Sequence, residues 1–124
     1  MEKFKVDGRL NRLNFIKSIL ITILVWPLIC GIICMLFVFI GRFVGLSEKS
    51  IEFGFVLPLV LGTLANIIKD FFRSIIMRLH DINKSGLFSI IVLVPVIGQI
   101  FLIYLFCAPG QVGANQYGAD PLEN

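Results

Sequence analysis

The chain has 124 residues, 57% of them hydrophobic and only 15% charged, with a formal net charge of +3 and a mean hydropathy of +0.93. Soluble domains run at roughly 45–50% apolar and about 25% charged, so this composition argues against a water-soluble domain and for an all-α integral membrane protein. In that setting the excess of cations reports orientation in a bilayer and not nucleic-acid binding.

Residues 1–17 are basic, with Lys3, Lys5, Arg9, Arg12 and Lys17 set among Phe4, Val6, Leu10, Leu13 and Phe15. The segment suits either a positive flank that fixes orientation or a stretch lying against anionic headgroups of the inner leaflet. The first span is 18–41, uncharged for 24 residues, which meets the roughly 20 residues needed to cross about 30 Å of hydrocarbon. It is too long for a signal peptide, and no small-x-small cleavage site follows it, so a retained anchor is expected. Pro27 predicts a kink. Gly41 and Gly45 have the Gly-x-x-x-Gly spacing of close helix packing, interrupted by Arg42. Cys30, Cys34 and Cys107 are dispersed in apolar runs, where cysteine acts as a small apolar filler and builds no disulfide framework.

A short loop, 46–52, makes the first two spans antiparallel neighbours. The second span, 53–68, has 16 residues and is about 6 Å short of a crossing, which Lys69 remedies by snorkelling. Ile67, Ile68, Phe71, Phe72, Ile75, Ile76 and Leu79 then recur with helical spacing. The helix is therefore expected to continue to about residue 79 as an amphipathic cytoplasmic extension.

The polar joint Arg78-Leu79-His80-Asp81-Ile82-Asn83-Lys84-Ser85-Gly86 follows. Asp81 has Arg78 three residues before it and Lys84 three after, which predicts an ionic tie between two helix ends. His80 is expected to cap carbonyls at the helix C-terminus, Asn83 to turn left-handed, and Ser85 to cap the next helix. His80 beside Asp81 also allows an acid-base reading. No nucleophile elbow, phosphate loop, metal-ligand spacing or second histidine accompanies it, so catalysis, cofactor and metal are not expected.

The third span is 86–108, bent near Pro95 and Gly98. Ser18, Thr22, Asn66 and Ser89 fall at inner-leaflet depth, where Asn66 is expected to bond across to a neighbouring helix. The tail, 109–124, is turn-rich and carries no cation. An N-terminus-inside arrangement puts nine basic residues in the cytoplasm and two, Arg42 and Lys49, outside, as the positive-inside rule asks. With three spans the tail then lies outside. The chain reads as one domain, 1–124.

Three motifs in order carry a resemblance. Gly8-Arg9-Leu10-Asn11-Arg12, Arg78-Leu79-His80-Asp81 with Ser85-Gly86, and Gly113-x-Asn115-x-Tyr117-Gly118-x-Asp120-Pro121 resemble the signatures of the YhaH-type small bacterial inner-membrane proteins, the family filed as domain of unknown function 805. The chain departs from that pattern at Met77, where an arginine is usual, at Leu87, where a tryptophan is, and at Phe15-Ile16, in place of a Tyr-Trp pair. The resemblance implies the inner membrane and supplies no activity.

The sequence thus predicts a non-enzymatic multi-pass protein binding lipid headgroups or a protein partner through its cytoplasmic basic face. Arg9, Arg12, Arg78, His80, Asp81, Lys84, Ser85 and Gly86 are the candidate structural or headgroup-binding residues, and a second copy or another membrane protein is a candidate partner. The alternative is a small oligomeric transporter or channel component. Against it, no charge lies within the spans, where ion paths usually carry one.

Overall fold

The computed structural model describes residues 8–122, and these are mostly helical. The expectation for Lys3, Phe4, Lys5 and Val6 lies outside the described residues. Two long apolar helices, α1 (Arg12–Phe43, 32 residues) and α2 (Glu48–Asp81, 34 residues), are followed by a 3-10 helix (Gly86–Leu93) and a short apolar helix α3 (Ile97–Cys107). At 1.5 Å per residue α1 and α2 are about 48 and 51 Å long, well beyond the roughly 30 Å of a hydrocarbon core. By its packing the chain forms two compact units, Leu20–Asp70 and a second made of Met1–Ile19 with Phe71–Asn124.

In the unit Leu20–Asp70 both long helices widen to a π-type turn just before a proline. Ile21–Val25 precedes Pro27 and Glu52–Val56 precedes Pro58, with Trp26 N–H donating to the Ile21 carbonyl and Leu57 N–H to that of Glu52. A proline ring collides with the carbonyl four residues back, and the wider turn makes room for it. The kink expected at Pro27 takes this form.

The outer turn between the helices is closed by backbone bonds. Leu46 N–H donates to the Gly41 carbonyl (2.9 Å) and Gly45 N–H to that of Arg42 (3.1 Å), with Gly45 at φ 80°. This is a Schellman cap, which needs a left-handed residue after the helix. Ser47 then opens α2 by accepting from Ser50 N–H at 3.2 Å. A methyl group on Gly41 would come within 2.8 Å of Ile51. The Gly41/Gly45 pair thus has a role inside the chain, in a cap and a close helix approach.

In the second unit the amphipathic extension of α2 is present, to Asp81, two residues beyond the expected end. Its apolar face meets the first turns of α1 and the 86–108 segment around Phe15, Ile19, Ile75, Leu79 and Leu105, all buried. Phe106 lies tilted on Phe15, with ring centroids 5.1 Å apart. Ser18 and Ser74 join α1 to α2 through their hydroxyls at 2.6 Å. Asn66, expected to make such a cross-helix bond, instead donates to the Gly62 carbonyl of its own helix (3.0 Å) and accepts from Lys69 Nζ (3.0 Å).

The segment 86–108 is not the single helix its composition predicts. The 3-10 helix ends at Leu93, and Ile97 N–H donates to the Pro95 carbonyl at 2.7 Å around Val96, whose φ of 66° and ψ of −56° make a γ-turn. Helix α3 then returns alongside, with Gly98 so close to Val92 that a methyl group would strike the Val92 carbonyl. Eight residues of 3-10 helix at about 2.0 Å and eleven of α-helix at about 1.5 Å each rise roughly 16 Å. The limbs match in length, and each is about half a hydrocarbon core. The bend expected at Pro95 and Gly98 is a full reversal, because Pro95 supplies no donor to continue a helix and Gly98 allows the limbs to touch.

Candidate functional site

Both limbs of the hairpin end beside the polar joint at the foot of α2, and the site is built from there. α2 closes with a second Schellman cap: Lys84 N–H donates to the Leu79 carbonyl (2.8 Å) and Asn83 N–H to that of His80 (3.1 Å), with Asn83 left-handed at φ 57° as its residue type predicts. Ser85 caps the 3-10 helix by accepting from Leu87 N–H at 3.3 Å. Gly86 is required by proximity, since a methyl group there would lie 2.8 Å from Ile76.

Arg78 has no exposed surface. Its guanidinium donates to the carbonyls of Leu105 (3.0 Å), Ala108 and Leu10 (3.3 Å), and to Asp81 Oδ2. These acceptors come from the end of α3, the start of the tail and the segment before α1, so a single side chain ties together three separate stretches. Asp81 Oδ1 meets Arg9, whose Nε donates to it at 3.2 Å. Arg9 in turn donates from Nη1 to the Gly113 carbonyl (2.5 Å) and from Nη2 to that of Gln111. The two arginines bracket one carboxylate, and all three side chains are at most 3% exposed. A planar fork of five N–H donors is what so many divergent acceptors require, and lysine does not have it.

Main-chain and tail contacts complete this clamp. Leu10 N–H donates to the Met77 carbonyl (3.2 Å) and Gln111 N–H to that of Asp81 (2.8 Å). His80 stacks on Tyr117, ring centroids 3.8 Å apart and planes 2° from parallel, and its Nδ1 lies 3.3 Å from the Gly8 carbonyl, the geometry of a donated bond. Asn115 Nδ2 donates to the His80 carbonyl at 2.8 Å. The tail holds its own shape through Asp120, which accepts from Gly113 N–H (2.8 Å) and Leu122 N–H (2.9 Å). Those two bonds, Leu122 first, hold the Asp120 carboxyl below its ordinary pKa.

The candidate residues sort clearly. Arg9, Arg78, His80 and Asp81 come together in the clamp. Arg12 and Lys84 are exposed. The predicted tie from Asp81 to Lys84 is replaced by one to Arg9, because the left-handed turn at Asn83 ends the helical register that would have brought Lys84 round. His80 does not cap the helix end, a task the amides of Asn83 and Lys84 perform. Arg9 bonds the carbonyls of Gln111 and Gly113, so the amino-terminal motif and the start of the tail lie together in this site. Gln111, Gly113, Asn115, Tyr117 and Asp120 are site residues that reasoning from charge and periodicity passed over. The signal for them was the third motif, where turn formers alternate with side chains able to bond a backbone.

The model of the family described as "Protein of unknown function (DUF805)" matches residues 3–119. The inner membrane protein YhaI of Escherichia coli strain K12 is 46% identical over 46 residues, 37% of this chain and 39% of its own length. The inner membrane protein YhaH of the same strain is 39% identical over 44 residues, 36% of each. The chain thus spans less than two fifths of the length of these curated relatives in the matched regions. No solved structure matches.

Proposed function

The chain belongs to the DUF805 family of proteins of unknown function, and from that premise we propose a non-enzymatic inner-membrane protein that crosses the bilayer twice, through α1 and α2, and dips into it a third time without crossing. Nine of the eleven Lys and Arg residues then lie on the cytoplasmic side, together with both chain ends. The observation that carries this reading is the reversal at Pro95–Ile97 between two limbs of about 16 Å, each too short to cross roughly 30 Å of hydrocarbon. The tip suits an apolar medium. The carbonyls of Val94, Pro95 and Val96 all accept backbone bonds, from Gly98, Ile97 and Ile100, which spares these acceptors the cost of standing unpaired among lipid tails. Outward-facing Leu87, Ile90, Leu93, Ile100 and Ile103 are each more than 60% exposed, an apolar surface that lipid would cover.

In this reading Arg9, Arg78 and Asp81 hold the hairpin and tail to the helix ends, and headgroup binding falls to the exposed cations Arg12, Lys17 and Arg73. Each cation near an anionic surface contributes about 1 kcal/mol of attraction. The test replaces those three with glutamine and compares the lipid that copurifies in mild detergent. The anionic share should fall while the protein stays folded. An unchanged lipid composition would refute headgroup binding by this face.

A further inference from the structure

Within the unit Leu20–Asp70 the two long helices touch at their outer ends, where Phe37 stacks on Phe55 at 5.3 Å and Gly41 receives Ile51. Nearer the other end they part. The space between them is a groove of about 310 Å³, walled by Trp26, Cys30 and Ile33 of α1 and by Pro58, Gly62 and Asn66 of α2. From Pro58 to Asn66 it runs eight residues, or about 12 Å, close to the roughly 15 Å depth of one leaflet of hydrocarbon. Its chemistry is graded along that length. The outer part is apolar, and at the inner mouth Lys69 Nζ sits 3.0 Å from Asn66 Oδ1.

We infer that this groove seats one acyl chain of an anionic phospholipid of the inner leaflet, with the phosphate held at the mouth by Lys69 and Asn66. The inference rests on the orientation proposed above, which puts Lys69 on the inner side. A gap between helices inside hydrocarbon is filled by whatever is there, and about 310 Å³ spread over about 12 Å of length admits a lipid chain but not a helix about 10 Å across. The mouth selects the sign of the ligand. An ammonium has three N–H donors and a carboxamide two, and one from each is accounted for by Asn66 Oδ1 and the Gly62 carbonyl. What the mouth offers a ligand is thus donors and positive charge, the complement of a phosphate. Trp26 on the facing wall is the residue type that settles at headgroup level.

Gly62 makes the idea testable, because a side chain there meets nothing within 4 Å and would enter the groove. Leucine also favours helix over glycine, so Gly62→Leu should not unfold α2. Gly31 is a matched control, equally open but not part of the groove wall. The full chain is reconstituted with phosphatidylglycerol and phosphatidylethanolamine, extracted into mild detergent and weighed by native mass spectrometry. The unaltered chain should retain one phosphatidylglycerol. Gly62→Leu should lower that occupancy roughly tenfold through steric exclusion, and Gly31→Leu should leave it unchanged. Lys69→Gln should weaken it about fivefold and Lys69→Arg restore it. Undiminished retention in Gly62→Leu, or equal loss in Gly31→Leu, would overturn the inference. So would a fall in oligomeric mass with bound lipid unchanged, which would make a second copy the occupant. Failure here is separable from failure of the headgroup reading, whose variants Arg12→Gln, Lys17→Gln and Arg73→Gln leave the groove intact.

Discussion

Two buried guanidiniums share the carboxylate of Asp81, and the cost of removing it follows from what would be left behind. Asp81→Ala strips Arg9 and Arg78 of the carboxylate they share, and breaking a buried pair in this way typically costs about 3–5 kcal/mol. Lys84→Ala, at an exposed side chain with no part in the clamp, should stay within about 0.5 kcal/mol. Thermal unfolding in detergent compares the two, and a normally stable Asp81→Ala protein would show the clamp to be dispensable. Arg78→Lys keeps the charge and loses the fork, so it should cost about 1.5–3 kcal/mol, the range for one hydrogen bond to a charged group. At this scale the sequence revealed the Arg78–Asp81 pair, because three residues along a helix put them on one face. It concealed Arg9, which lies 72 positions from Asp81, since no periodicity connects residues so distant. The carbonyl partners of Arg78 were hidden for a different reason: any residue type carries a carbonyl.

Among the elements, the hairpin makes the sharpest demands. Gly98→Ala would drive a methyl group into the Val92 backbone, which has no side-chain freedom with which to yield, so it should destabilise the protein by about 1–3 kcal/mol. Val96→Gly should do the opposite. A β-branched residue at φ 66° is strained, and glycine adopts that conformation freely, so the variant should unfold at the same or a higher temperature. A clear loss of stability would mean that the Val96 side chain, and not its backbone, holds the tip. The tail makes a prediction in pH. Asp120 is held below its ordinary pKa, so its contribution is complete above about pH 4 and disappears as pH falls through the lower folded value. Exchange of the Gly113 and Leu122 amides, corrected for intrinsic rates, should therefore quicken below about pH 4, and Asp120→Ala should show the quick rates at neutral pH. Much of this was legible: the extension of α2, the turn at Asn83, the cap at Ser85 and a bend at Pro95 all follow from local residue types. The reversal was not. Hydropathy counts apolar residues without regard to direction, and 23 uncharged residues in a row satisfy the length of a crossing whether the chain goes through or comes back.

For the whole molecule, what separates two crossings from three is the side on which the tail lies, and charge could not decide it. The tail has no lysine or arginine, so moving it from one face to the other leaves the nine-to-two distribution of cations as it was. The proposal of two crossings draws its support from the clamp, in which Arg9 bonds the Gln111 and Gly113 carbonyls. The direct measurement fuses a reporter pair, a fluorescent protein that matures only in the cytoplasm and a phosphatase active only outside it, after the tail and, as an outer reference, in the 44–47 turn. Fluorescence without phosphatase activity at the tail, and the reverse in the turn, is the result two crossings and a re-entrant hairpin predict. Phosphatase activity at the tail would contradict them and restore a third crossing.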